Sequence, residues 1–166
     1  MNQREEKTLI TIKKFANKLP KFLDGRIDYS TSNIAPVITV FVKHEDKILL
    51  LKRSDKVRVY QGKWNTVAGY LDELKPIRKK VLEEIQEELG ISKENIMSLH
   101  IGKYYKFADA EIGKTWLVNP VSVELKKKPD IKIDWEHTEY KWINPAELKK
   151  FNVVSDFERG LENAFK

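Results

Sequence analysis

Four glutamates stand within eight residues of this chain, in the stretch EEIQEELG at residues 83–90. On a helix, like charges spaced four residues apart repel one another at a cost of roughly 0.2–0.5 kcal/mol per pair. The stretch alone leaves two interpretations open. It is either the solvated face of an ordinary amphipathic helix, or a set of carboxylates that holds a hard cation such as Mg²⁺ or Mn²⁺, which both prefer oxygen ligands.

The glutamates lie on a predicted helix whose apolar residues form one stripe. With 3.6 residues per turn, that stripe contains Ile77, Val81, Leu82, Ile85 and Leu89. Glu88 falls at its edge, and Glu84 and Glu87 lie within one turn of Glu88, so the three carboxylates can converge beside the buried face. The helix is predicted to begin at Pro76, which suits a first turn, and to stop at Gly90.

The composition bounds the class of protein. The chain has 166 residues, 41% of them hydrophobic and 34% charged, which is typical of one soluble globular domain. No apolar run approaches the roughly 20 residues that span a bilayer, and the acidic N-terminus has no apolar core of a signal peptide. The absence of cysteine excludes disulfides, thiolate zinc sites and thiol catalysis. We therefore predict a cytoplasmic protein with no membrane partner.

The net charge of +6 and pI of about 9.3 also have two interpretations. One is attraction to polyanions such as nucleotides or RNA, and the other is a lysine-rich surface that keeps the protein soluble. The three histidines are not spaced as metal ligands.

The remaining elements predict an α+β protein, with a mixed β-sheet between helices in an α/β/α sandwich. A helix is predicted over 5–18, strands over 37–42 and 47–53 as a hairpin, a short strand in TVAGYLD, strands over 97–108, 114–125 and 138–143, and helices in NPAELKKF and SDFERGLENAF with Asn144 and Ser155 as N-caps. Residues 54–65 are predicted to form a polar loop. Residues 1–34 are predicted to form a helical extension packed on a domain of residues 35–166. Whether that extension covers the site or forms a homodimer interface stays open.

The segment from Gly69 to Ile91, GYLDELKPIRKKVLEEIQEELGI, resembles the signature of the Nudix hydrolase family. The family pattern is Gly, five residues, Glu, seven residues, Arg-Glu, an aliphatic residue, any residue, Glu-Glu, any residue, Gly and an aliphatic residue. The matching positions are Gly69, Glu84, Ile85, Glu87, Glu88, Gly90 and Ile91. The resemblance covers residues of about 35–150 and implies the Nudix fold.

Two positions depart from that signature. Lys75 stands where the family has its first glutamate, and Glu83 stands where it has arginine. One hypothesis is that the bracing ion pair has been charge-swapped, since Coulomb attraction is indifferent to which partner carries which sign. The other is that the brace has been lost and the site is weak or inactive.

The resemblance implies hydrolysis of a phosphoanhydride bond in a nucleoside diphosphate linked to another moiety, such as a nucleotide, a nucleotide sugar or a coenzyme-type compound. Glu84, Glu87 and Glu88 would ligate Mg²⁺ or Mn²⁺, with a backbone carbonyl near Gly69. Glu84 is one candidate for the general base. Glu136 is another, for that role or for a further metal contact, ahead of Glu139 and Glu111.

Cations and aromatic residues upstream of Gly69 are candidates for substrate binding. Lys52, Arg53 and Arg58 suit phosphates, and Tyr60 and Trp64 suit stacking on a base. The alternative function is a Nudix-fold module, weak or inactive in catalysis, that binds a nucleotide or RNA. Action on RNA 5′ ends is suggested by the basic pI alone.

Overall fold

The computed structural model describes all 166 residues, with three α-helices and eight strands. The helices are α1 Gln3–Lys18, α2 Ile77–Leu89 and α3 Phe157–Ala164. The strands are β1 Ile34–His44, β2 Lys47–Arg53, β3 Trp64–Asn65, β4 Val67–Tyr70, β5 Ile96–Ile101, β6 Tyr105–Asp109, β7 Lys114–Leu125 and β8 His137–Ile143. Two short 3₁₀ helices span Lys93–Asn95 and Pro145–Lys150. No helix is long and apolar enough to cross a membrane.

The strands form one mixed sheet, as predicted. β1 and β7 run parallel through its centre in register from Ile34 opposite Thr115 to Lys43 opposite Glu124. All the other pairings are antiparallel: β4 and β2 on β1, β5 and β6 on β7, and β3 and β8 on β2. The central parallel pair has no hairpin of its own because the chain between its strands contains β2 to β6 and α2.

Alternate residues of β1 pack against helices on opposite faces of the sheet. Ile38, Val40 and Val42 belong to the larger buried cluster, together with the apolar stripe of α2 and Ile12 of α1. Phe41, which points the other way along the strand, belongs to a second cluster with Phe157 of α3. The sheet is therefore sandwiched between α1 and α2 on one face and α3 on the other.

The acidic helix follows its predicted bounds. Gly90 adopts the left-handed conformation at φ 69° and ends α2, which a residue with a Cβ does at a cost. Pro76 at the other end supplies no side-chain cap. Instead Glu5 of α1, 2% exposed, accepts a hydrogen bond from the Arg78 backbone N–H at 3.2 Å. The N-terminal extension thus caps the helix that carries the glutamates.

Three local predictions were wrong. The strand predicted over 97–108 is two strands, β5 and β6, separated at Gly102, where a Cβ would lie 2.1 Å from the Asn163 carbonyl oxygen at the end of α3. Ser155 is not the cap of α3, because Asp156 is the N-cap residue, at φ 73° and without a side-chain bond. The loop predicted over 54–65 contains β3 at its end. Asn144 does cap the following helix, which is 3₁₀.

Candidate active site

A cleft of about 550 Å³ opens between α2, β4 and the loops that contain Arg58 and Glu136. Its lining includes four carboxylates at one end, Glu84, Glu87, Glu88 and Glu136, and an aromatic and apolar wall from β6, β7 and α3 at the other. Three glutamates of α2 thus line one cleft, and Glu136 lines it from the loop before β8.

Glu84 lies directly against the backbone of β4. A Cβ on Gly69 would stand 3.1 Å from the Glu84 carboxyl carbon and 3.2 Å from its Oε1, closer than side-chain atoms ordinarily approach. Glycine at this position thus lets the carboxylate pack against the strand. Glu87, one turn further along α2, is exposed on the cleft side.

Glu88 is the most unusual carboxylate of the chain. It is 4% exposed, and its Oε2 has no hydrogen-bond partner. Burial, with the nearby charges of Glu136 and Glu84, raises its pKa to about 10. A buried anion without a partner is unfavourable, and a cation among these oxygens would relieve that cost. The residues present therefore fit a divalent ion.

His137 joins this group, although its sequence spacing gave no sign of it. One ligand atom from each of Glu88, Glu136 and His137 lies within 4.8 Å of the others. The imidazole Nδ1 is 3.2 Å from Asp134 Oδ1, and burial lowers the pKa of His137. The signal available in the sequence was its position beside Glu136.

Of the three base candidates outside α2, only Glu136 lines the cleft. Its backbone is held by a hydrogen bond from Ser54 N–H to its carbonyl at 2.8 Å, and burial raises its pKa. Glu139 instead pairs with Lys52 at 3.3 Å and Glu111 lies 3.9 Å from Lys63, and neither lines the cleft.

Lys80 is buried inside the site. Its Nζ lies 2.7 Å from Glu84 Oε1 and 3.3 Å from Asp72 Oδ1. Burial alone would lower the pKa of Lys80, but the hydrogen bond to Glu84 and the attraction of both carboxylates outweigh it and raise the pKa. Lys80 is thus a charged side chain within the carboxylate cluster.

The two residues that depart from the signature face one another. Lys75 Nζ lies 2.7 Å from Glu83 Oε2 and 3.0 Å from Glu73 Oε2. The hydrogen bonds to Glu83 and Glu73 outweigh burial and raise the pKa of Lys75. The ion pair required by the charge-swap hypothesis is present, between the loop before α2 and the body of the helix.

The predicted substrate-binding residues divide into two sets. Arg53, Arg58 and Tyr60 line the cleft, and Arg53 Nε is held by the Val59 carbonyl at 3.0 Å. Two others, Lys52 and Trp64, do not line it. Lys52 is engaged with Glu139 as described above. Trp64 is 8% exposed and packs edge-on against Phe151 with ring centroids 5.4 Å apart, in the second core cluster. Lys52 and Trp64 lie opposite one another in the pairing of β2 with β3, so their side chains are on the same face of the sheet.

Hydrogen bonds fix the aromatic end of the cleft. The Tyr60 hydroxyl donates to Asp109 and accepts from the Trp116 indole N–H at 3.2 Å. Tyr70 packs against Trp116 with centroids 6.0 Å apart. Trp135, 61% exposed, stands in the lining next to Glu136. These rings offer flat apolar surface within the same cleft as the carboxylates.

Comparisons with known proteins found matches over most of the chain. The model of the NUDIX domain matches residues 33–163. Nucleoside triphosphatase NudI of Escherichia coli O81 is 22% identical over 125 residues, which cover 70% of this chain and 86% of NudI. Among solved structures, the NUDIX domain of Shewanella oneidensis NrtR complexed with ADP ribose superposes with a TM-score of 0.65 at 16% identity, over 79% of this chain and 86% of that one.

A longer protein matches the N-terminal helix as well. The bifunctional NMN adenylyltransferase/ADP ribose pyrophosphatase of Francisella tularensis, complexed with AMP and a Mn ion, superposes with a TM-score of 0.64 at 17% identity. The match covers 96% of this chain and 46% of that one. At these identities the structural likeness establishes the fold.

Proposed function

The chain belongs to the NUDIX family, and we propose that it is a pyrophosphohydrolase dependent on Mg²⁺ or Mn²⁺. Its substrate would be a nucleoside diphosphate linked to another moiety. The observation that carries the proposal is the buried Glu88 carboxylate, whose Oε2 has no partner while Glu84 and Glu136 add negative charge around it. Such a group is unfavourable in a metal-free site and well suited to a divalent cation.

The α2 carboxylates have distinct parts in this proposal. Glu84, Glu87 and Glu88 would hold the cation, with the Gly69 carbonyl as a further oxygen ligand. When bound, a divalent cation offsets phosphate charge and makes a coordinated water a usable nucleophile near neutral pH. Glu136 would take the proton of that water, since it lines the same cleft and its raised pKa moves it towards the working pH of a general base.

The rest of the cleft supports a nucleotide-type substrate. Arg53 and Arg58 supply positive charge for phosphates in the same lining as the carboxylates. Tyr70 and Trp116 offer ring surface on which a base or another flat group could stack. The relatives and neighbours include a nucleoside triphosphatase, a complex with ADP ribose and a complex with AMP. Nucleoside triphosphates, ADP ribose and AMP all contain a nucleoside joined to phosphate, and this cleft would recognise those groups.

The test is a panel of nucleoside triphosphates, dinucleoside polyphosphates, nucleotide sugars and coenzymes, each incubated with Mg²⁺, Mn²⁺ or chelator. Products are identified by mass so that the cleaved bond is known. Wild type should release product with either cation and not with chelator. Glu87→Gln and Glu88→Gln should lower the release strongly, while Glu6→Gln on the exposed face of α1 should not. A panel without cation-dependent release would refute the proposal.

A second candidate is a nucleotide-binding module without turnover. The observation that favours it is the ammonium of Lys80 at Glu84, which already neutralises part of the proposed metal site. This candidate predicts saturable nucleotide binding by calorimetry with no product in the same panel. An RNA 5′ end as ligand would show as binding that weakens steeply with salt.

A further inference from the structure

Lys80 is a buried lysine at a position that the Nudix signature leaves free. Its side chain is 8% exposed and the facing carboxyls of Glu84 and Asp72 are 13% and 10% exposed. A charge removed from water in this way is tolerated only with close partners of opposite sign. Its neighbour Lys79 is exposed on the same helix, so burial of a lysine here is specific to position 80.

The ammonium occupies one of the two oxygens of Glu84. Lys80 Nζ lies 2.7 Å from Glu84 Oε1, the carboxyl oxygen that would be nearer to a Cβ on Gly69. Oε2 is the oxygen of Glu84 that this arrangement would leave for a divalent cation. A carboxylate bridges two metal ions through two free oxygens, and Lys80 leaves Glu84 with one.

Asp72 is the second carboxylate beside the Lys80 ammonium. Its Oδ1 is 3.3 Å from the same ammonium, and its carboxyl and that of Glu84 both line the cleft. Without the ammonium, two buried carboxylates would face one another across the space that it fills. Mg²⁺ and Mn²⁺ bind such oxygens at about 2.0–2.2 Å, which needs only a small approach of the two side chains.

From these contacts we propose that Lys80 is a tethered cation that takes the place of one divalent ion, so that this chain binds one fewer metal ion than its carboxylates would otherwise hold. The proposal rests on the metal site of the proposed function. It identifies Lys80 as the residue that sets the number of metal ions at the site.

The test counts bound Mn²⁺ per chain, by electron paramagnetic resonance of the free ion during titration. Lys80→Met keeps the apolar stem and removes the charge, and it should bind one Mn²⁺ more than wild type. Lys79→Met should bind the wild-type number. The double variant Lys80→Met with Asp72→Asn should return to the wild-type number, because one carboxylate of the new site is gone.

A folded Lys80→Met chain, judged by circular dichroism, with the wild-type number and affinity of Mn²⁺ would overturn the proposal. If that variant does not fold, Lys80→Gln is titrated in the same way. If neither variant folds, Asp72→Glu is titrated with Lys80 intact. Lys80 should still exclude the extra ion from this variant, and a gain of one Mn²⁺ would contradict its role.

Glu88→Gln separates the two proposals. If Glu88→Gln loses Mn²⁺ while Lys80→Met gains none, only the role of Lys80 fails. If Glu88→Gln binds Mn²⁺ as wild type does, the metal site itself is refuted.

Discussion

Reversal of the Lys75–Glu83 pair tests whether this chain keeps its brace with the charges exchanged. Lys75→Glu places a carboxylate beside Glu83 and Glu73, and Glu83→Arg places a guanidinium beside Lys75. Each single change replaces an attraction with a repulsion, and the double change restores an attraction. The double variant should therefore lose less free energy of unfolding than the two single variants lose together.

The geometry sets the size of the effect. The pair is joined at 2.7 Å, with side chains 17% and 34% exposed. Partial exposure calls for the value of a screened ion pair, about 0.5 kcal/mol within the range measured for surface pairs. Reversing one charge changes the interaction by twice that value, so each single variant should lose about 1 kcal/mol. Lys75→Glu should lose more than Glu83→Arg because it also faces Glu73, 3.0 Å from the present ammonium.

The assay is urea unfolding of the four proteins with chelator, so that metal binding does not contribute. A loss of 1 kcal/mol corresponds to a Tm lower by about 2–4 °C for a chain of this size, which gives a second readout. The double variant should regain the loss due to the reversed pair and keep only the loss due to Glu73, so it should be more stable than Lys75→Glu alone. Lys79→Glu on the exposed face of the helix is the control. A double variant whose loss equals the sum of the single losses would refute the charge-swap hypothesis.

Substitutions at Gly69, Glu88 and Glu5 each test one local feature of the structure. Gly69→Ala should weaken Mn²⁺ binding and lower the rate of product release, because its Cβ would stand 3.1 Å from the Glu84 carboxyl carbon; wild-type Mn²⁺ affinity would contradict this. Glu88→Gln should make the chain more stable than wild type in chelator, since it removes a buried carboxyl without a partner. Because the folded-state pKa of Glu88 is raised, this gain in stability should appear only above the unfolded pKa of glutamate, about 4.3. It should grow as the pH rises towards the folded-state pKa. Urea unfolding at several pH values measures the gain, and a gain independent of pH would contradict the prediction. Glu5→Ala should lower the free energy of unfolding by about 1 kcal/mol, as the loss of a helix cap does, because the Glu5 carboxylate accepts a hydrogen bond from Arg78 N–H at the start of α2. An equal loss in Glu6→Ala would show that the cap is not the cause.

Local sequence patterns predicted much of the fold. The apolar stripe of α2 and the glycine after it are short-range signals, and the helix has nearly the predicted bounds. The β-branched run at 37–42 lies within β1. Asn144 is found at the predicted cap. In each case residues within a few positions of one another determine the conformation, so periodicity and capping chemistry suffice.

The wrong predictions involve contacts between segments distant in the chain. Gly102 divides a predicted strand because the end of α3, about sixty residues later, approaches its backbone. Trp64 is an aromatic residue upstream of Gly69, yet pairing with β2 directs it into the second core cluster. No local pattern encodes which face of a strand meets a distant helix.

The sequence by itself determined that three glutamates of α2 share one edge of a helix, because their spacing of three and four residues matches the helical turn. Only the tertiary structure decided what those carboxylates face. It brings Glu136 and His137 to Glu88 from the loop and strand after β7, and it buries Lys80 between Glu84 and Asp72. The physical reason is that charge partners within a cleft are selected by packing between elements, and that packing depends on the whole sheet and not on any one segment.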